Sequence, residues 1–208
     1  ESPGGSDVYC WWNGAPDRHS DLPNKEISVV GDETIKNLQA VGPGKPVIMT
    51  IQAFGWSDGT TSPSLADKGF SYPPTNIQRF MAYDAIVNGA SGILFYQDRR
   101  YREIDPRVAP VSQELSSIQH ILASPTVESS VQPTDERIRV LAKQHDSSQY
   151  VIVVNRSSEN LTAKLETKTP NGEWTFLDNK EKVAKSGSHL QFDMEPWGVR
   201  ILTSKAGK

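Results

Sequence analysis

"GKPVIMTIQAFGW", residues 44–56, is the stretch on which the fold of this chain turns. Gly42 and Gly44 bracket a turn, and Pro46 opens the run Val47-Ile48-Met49-Thr50-Ile51. β-Branched and apolar side chains in unbroken succession are strand chemistry. Because the run is continuous and not alternating, it predicts a parallel strand covered on both faces. Its far end changes character, to Gln52, Phe54 and Trp56. Parallel α/β sheets bind ligands outside the carboxyl ends of their strands. "VIMTI" is therefore expected to pack inside, and "QAFGW" to face a ligand.

Working outward, residues 1–124 alternate apolar runs with helical patterns. "DVYCWW" (7–12) reads as one short strand closed by Asn13-Gly14. "EISVVGDETIKNLQAVG" (26–42) carries a helical stripe of Ile27, Val30, Thr34, Ile35, Leu38 and Val41, despite Gly31. A loop over 55–74, dense in Gly, Ser, Asp and Pro, is long enough to suggest a functional role. Thr75 and Gln78 have capping-box spacing behind Pro73-Pro74, and Gly89 is placed to end that helix. "GILFY" (92–96) is a second continuous apolar strand, and "SQELSSIQHILA" (112–123) the last helix, with Leu115, Ile118, Ile121 and Leu122 inward. Strand, helix, strand, helix, strand, helix makes βαβ crossovers and a parallel sheet.

From residue 125 to 208 the pattern becomes strands alone. Ile138, Val140 and Ala142 alternate, "YVIVVN" (150–155) reads as a central strand, and Leu161, Ala163 and Leu165 alternate again. So do Trp174 and Phe176, then Leu190, Phe192 and Met194. Pro170-Asn171-Gly172 is a hairpin signal. Short strands and frequent turns predict an antiparallel β-sandwich, with the hinge near Ser124-Pro125 and Trp174 and Trp197 in its core.

Composition narrows the function. A net charge of −3, from 22 basic and 25 acidic residues, provides no field for nucleic acid, and no basic cluster is interleaved with aromatics. No apolar run approaches the ~20 residues of a membrane span. The lone Cys10 leaves no internal disulfide, and His19, His120, His145 and His189 lack metal-ligand spacing, so neither metal nor cofactor is expected. A start at Glu1 without Met suggests a processed, trimmed or partial chain. Two glycosylation sequons, Asn155-Arg156-Ser157 and Asn160-Leu161-Thr162, point to a secreted or extracytoplasmic protein.

The three strand ends bring Trp12 and Asn13, then Gln52, Phe54 and Trp56, then Tyr96, Gln97 and Asp98 to one rim. Trp and Tyr faces stack on sugar rings while amides and carboxylates bond hydroxyls, so the expected ligand is a carbohydrate. Neighbouring strand residues alternate faces, so one of Trp11 and Trp12 belongs to the core and Trp12, or Asn13, to the rim. Gln52 has two open roles, a ligand contact or the satisfaction of backbone groups. Asp98 is the one acid directly after a strand end, with Arg99, Arg100 and Arg102 available to pair with it; Asp58, Asp67, Glu103 and Asp105 lie farther out.

"KPVIMTIQAFGW", "PPTNIQRFMAYDAIVNGASGILFYQ" and the all-β tail together resemble the C-terminal part of a barrel glycoside hydrolase, of the β-galactosidase-like group. The likeness is specific over residues 44–97 and covers the tail in outline. It implies α/β plus all-β architecture: a partial (β/α)8 TIM barrel, its last three βα units in residues 1–124, followed by the sandwich at 125–208. It also implies O-glycoside hydrolysis on an oligo- or polysaccharide, with the N-terminal half of the barrel supplied elsewhere in a parent protein. Such a barrel takes ~250 residues. Many related glycosidases end strand 7 in a glutamate nucleophile where this chain has Gln52, and a neutral amide cannot attack an anomeric carbon. Hydrolysis needs two carboxyls, ~5 Å apart for retention and farther apart for inversion. No complete pair can be assigned here, so a non-catalytic carbohydrate-binding or scaffold protein is the alternative. A self-standing small α/β domain is opposed by the open strand edges it would leave.

Overall fold

Parallel pairing organises the first part of the chain. The structure, a computed structural model, describes residues 7–8, 11–12, 15–16, 22–55, 72–97, 105–127, 131–168 and 173–205. Two compact units divide the chain, Glu1–Gln113 and Glu114–Lys208. The fold is mixed: helices with parallel strands in the first unit and antiparallel sheets in the second.

In the first unit β1 (Asp7–Val8), β4 (Ile48–Gln52) and β5 (Gly92–Tyr96) form one sheet in the order β1-β4-β5, parallel throughout. The "DVYCWW" run is not one strand. It splits into β1 and β2 (Trp11–Trp12), and β2 turns back to pair antiparallel with β3 (Ala15–Pro16). Asn-Gly, the sequence between β2 and β3, is a dipeptide that favours hairpins, and β2 and β3 form a sheet separate from β1-β4-β5.

Helix α1 (Val29–Val41) precedes β4, and helix α2 (Thr75–Val87) joins β4 to β5. α2 touches α1, β4 and β5, which is why Ile77, Phe80, Met81, Tyr83 and Ala85 are all buried. The T-x-x-Q capping box does not form. The helix starts one residue earlier than that motif needs, with Pro74 as N-cap, and the Ile77 and Gln78 N–H groups donate to the Pro74 carbonyl. Gln78 is buried instead of reaching back. Ile35 also departs from expectation, being 36% exposed, because the buried side of α1 runs through Val29, Val30, Glu33 and Thr34. Gly89 behaves as predicted, with φ +105° just past the Asn88 C-cap.

The sheet is not covered equally on its two faces. Met49 and Ile51 are fully buried, and Met49 Sδ lies 3.9 Å from Asn37 Nδ2 of α1, so this is the helix-covered face. On the other face Leu94 is 57% and Tyr96 50% exposed, opposite Thr50 and Gln52 of β4. The continuous "GILFY" run was expected to be covered on both sides. Among the described residues it lies at the sheet edge, with no element over Leu94 and Tyr96.

The last predicted helix is two pieces, α3 (Ala109–Ser117) and α4 (Gln119–Leu122), interrupted at Ile118. Within the second unit α4 contacts β7 (Ile138–His145). One sheet runs β10-β13-β8-β7, with β10 Trp174–Phe176, β13 Val199–Lys205 and β8 Ser148–Asn155. The other runs β11-β12-β9-β6, with β11 Ala184–Ser186, β12 His189–Met194, β9 Leu161–Thr167 and β6 Val131–Pro133. All pairings are antiparallel. Val151, Val153 and Trp174 from the first sheet share one apolar core with Ala163, Leu165 and Leu190 from the second. β8 is central, as "YVIVVN" predicted, flanked by β13 and β7.

Two expectations fail in this unit. Strands β9 and β10, on either side of Pro170-Asn171-Gly172, pair in different sheets and so do not form a hairpin; that tripeptide itself lies outside the described residues. Trp174 is in the core, but Trp197 is only half-buried. It sits at φ +55° in the turn before β13, its N–H donating to the Ser157 carbonyl.

Candidate functional site

Parallel register brings the carboxyl ends of β1, β4 and β5 to the same side, with Val8 opposite Ile51 and Gln52 opposite Tyr96. The Ala53 N–H donates to the Tyr96 carbonyl at 2.8 Å and so carries the ladder one step beyond the strands. Gln52 sits at this end with no exposed surface. Its Oε1 accepts from the Trp11 N–H at 2.9 Å, and its Nε2 donates to the Trp11 carbonyl at 2.9 Å and the Phe54 carbonyl at 3.0 Å. The amide thus ties the β2 hairpin to the end of β4, two segments 41 residues apart in sequence. Both of its N–H bonds are engaged by backbone carbonyls.

Next to it the chain exposes aromatic surface. Phe54 is half-buried and meets Tyr96 edge-on, centroids 5.6 Å apart at 80°. That edge-on contact packs Phe54 against the half-exposed Tyr96 ring. An exposed phenol ring can take the apolar side of a pyranose and bond a hydroxyl with its own O–H. Gln97, one residue on, accepts from the Asp105 N–H at 3.3 Å.

Asp105 opens the next described stretch of the chain after β5 and Gln97. Its carboxylate is almost fully buried and takes three bonds from one residue: the Arg107 N–H and Nε reach Oδ1 at 2.8 Å each, and Nη2 reaches Oδ2. These hydrogen bonds, opposed by burial, hold the carboxyl below its usual range. The Arg107 guanidinium also lies over the Tyr72 ring, 3.5 Å from its centroid. A carboxylate so engaged stays ionised and has no proton to donate, so it is unsuited to general-acid work. In sequence Asp105 is one of the acids that lie farther out than Asp98. Its local signal was present, since Asp-x-Arg spacing lets a single Arg bond one carboxylate with backbone and side chain together.

Of the eight predicted rim residues, Gln52, Phe54, Tyr96 and Gln97 are gathered at the ends of β4 and β5. Asn13, Trp56 and Asp98 lie outside the described residues, as does the side chain of Trp12. Trp11 is buried. Among the described strand residues of this sheet the one acid is Asp7, which pairs with Thr50, two positions before Gln52. No group of three metal-ligating side chains occurs among the described residues, and no described helix is long and apolar enough to cross a membrane.

No protein-family model and no curated protein match this sequence. Solved structures do. A β-L-arabinopyranosidase from Geobacillus stearothermophilus, in complex with arabinose, superposes with TM-score 0.56 at 13% identity, over 88% of this chain and 42% of that one. The α-galactosidase I of Mortierella vinacea gives TM-score 0.54 at 9% identity, covering 97% and 54%. AmyP in complex with maltose gives 0.54 at 11%, covering 88% and 50%. The chain has a glycoside-hydrolase-like fold. At these identities the likeness is one of fold alone, and the chain spans about half the length of the structures it matches.

Proposed function

We propose that this chain is part of a glycoside hydrolase acting on O-glycosidic bonds of an oligo- or polysaccharide. In this proposal residues 1–124 are the last three βα units of a (β/α)8 barrel of the β-galactosidase-like group. Residues 125–208 form an accessory β-sandwich, and the remaining strands come from the rest of a longer, extracytoplasmic protein. The observation that carries the proposal is the uncovered Leu94 and Tyr96 face of a parallel sheet whose strand ends align, in a glycosidase-like fold. In a closed barrel that face is the packed interior and its upper end the mouth. Phe54 and Tyr96 then form part of a sugar subsite, with Trp12, Asn13, Trp56, Gln97 and Asp98 as further rim residues. The catalytic carboxyls come from Asp98 or from outside this chain.

The test is release of reducing sugar by the full-length protein. Tyr96→Ala is expected to raise KM about tenfold with kcat changed far less, the loss of one stacking contact. Failure of the full-length protein to bind or cleave any glycoside would end the proposal. A non-catalytic carbohydrate-binding or scaffold protein is the alternative, favoured by Gln52, whose amide is bonded to backbone at a place where related enzymes carry a nucleophile. Saturable sugar binding without turnover would select it.

A further inference from the structure

The two sequons are separated by only five positions, yet the fold treats their asparagines oppositely. Asn155 ends β8 with no exposed surface. Its Nδ2 donates to the carbonyls of Glu159 and Glu195, each at 2.8 Å. Its Oδ1 accepts from the Ser157 N–H at 3.0 Å and the Ser157 hydroxyl at 2.9 Å. All four bonds available to a primary amide are therefore made. They tie the 156–160 segment to the turn at 195–198, and the Asn155 N–H donates to the Gly198 carbonyl in addition.

Asn160 is exposed, immediately before β9. Its +2 residue Thr162 is exposed too, with its hydroxyl 2.8 Å from Asp193 Oδ1. Beside them lies an open surface cleft, lined by Asn160, Thr162, Glu195 and Arg200 and by the apolar Leu161 and Met194.

We infer that Asn160, and not Asn155, carries an N-linked glycan when the protein passes through a glycosylating secretory compartment. In the transfer, Asn160 Nδ2 forms a bond to the anomeric carbon of a lipid-pyrophosphate-linked oligosaccharide. The bond from that carbon to the phosphate oxygen breaks, the lipid pyrophosphate leaves, and the amide proton goes to a base of the transferase. At Asn160 the product projects into solvent. At Asn155 it would remove one N–H from a filled set of bonds and force a sugar into a closed site, so a chain modified there does not reach this fold. The inference does not depend on the hydrolase proposal.

The experiment is secretion of the full-length protein from a eukaryotic host, followed by enzymatic deglycosylation in heavy-oxygen water and peptide mass spectrometry. The label is expected at Asn160 alone, lost in Asn160→Gln and in Thr162→Ala. Bacterial, glycan-free protein supplies a readout independent of secretion. There Asn160→Gln leaves Tm unchanged, while Asn155→Gln lowers it by roughly 5 °C or more. A labelled Asn155 in folded secreted protein, an unlabelled Asn160, or equal Tm for the two variants would overturn the inference.

Discussion

Gly31 lies in the middle of α1, where propensity disfavours it. A Cβ at this position would come within 2.3 Å of Asn88 Nδ2 and 2.7 Å of Asp84 Oδ2 on α2. The Gly31 N–H already donates to that Asp84 oxygen at 2.9 Å. The absence of a side chain is what leaves room for the Asp84 carboxylate and the Asn88 amide against α1. Gly31→Ala should therefore cost about 1–3 kcal/mol, despite the better helix former, measured by urea unfolding; an unchanged midpoint would refute the close-approach explanation. Asp105 gives a pH prediction of definite sign. Its folded pKa is depressed below 3.8, chiefly by hydrogen bonds from Arg107. The stabilisation is complete above the unfolded value and is lost as pH falls through the lower folded one. Asp105→Asn should thus destabilise at pH 7, with the gap to wild type closing only in strong acid. The same Asp-x-Arg clamp recurs at Asp135 and Arg137, with Nε at 3.0 Å and Nη2 at 2.7 Å from the carboxylate. Spacing made both clamps readable in sequence. That the first carboxylate is buried and the second only half-buried was not readable, because it depends on neighbours distant in the chain.

At the scale of elements, β4 shows how a run can be read correctly while the role of its last side chain stays open. "VIMTI" forms a parallel strand because its side chains suit one. Whether Gln52 at its end meets a ligand or the backbone depends on where the β2 hairpin lies, 41 residues earlier. Gln52→Glu is the sharp test of that arrangement. It would put a carboxylate against the carbonyls of Trp11 and Phe54 in a site with no exposed surface, and it removes two donors. The expected outcome is a loss of roughly 3 kcal/mol or more, growing as pH rises above the normal carboxyl range. A stable variant that gains hydrolytic activity would instead mean that the site adapts to a nucleophile. Helix ends were legible where one residue suffices, as at Gly89. They were misread where a pair had to cooperate, as at Thr75 and Gln78, since burial of Gln78 competes with capping.

For the whole molecule, the exposed Leu94 and Tyr96 face separates this chain from its proposed parent. Leu94→Lys in the 208-residue chain should shift stability by no more than about 0.5 kcal/mol, because the side chain is already 57% exposed. In the closed barrel proposed for a longer parent, the same change would bury a charge and should cost at least about 2 kcal/mol. Equal effects in the two, followed by thermal unfolding, would argue against closure over that face. The sequence alone determined the kinds of elements and their order: βαβ units first, strands afterwards, a central apolar β8, a glycine at the end of α2. Those follow from periodicity, which records the side chains that must leave water along each segment. Tertiary structure alone decided which segments pair, that β9 and β10 belong to different sheets, and that Gln52 clasps Trp11. It also decided that Asn155 is sealed while Asn160 is open. Each of these depends on a neighbour brought from far along the chain, and local periodicity carries no record of that neighbour.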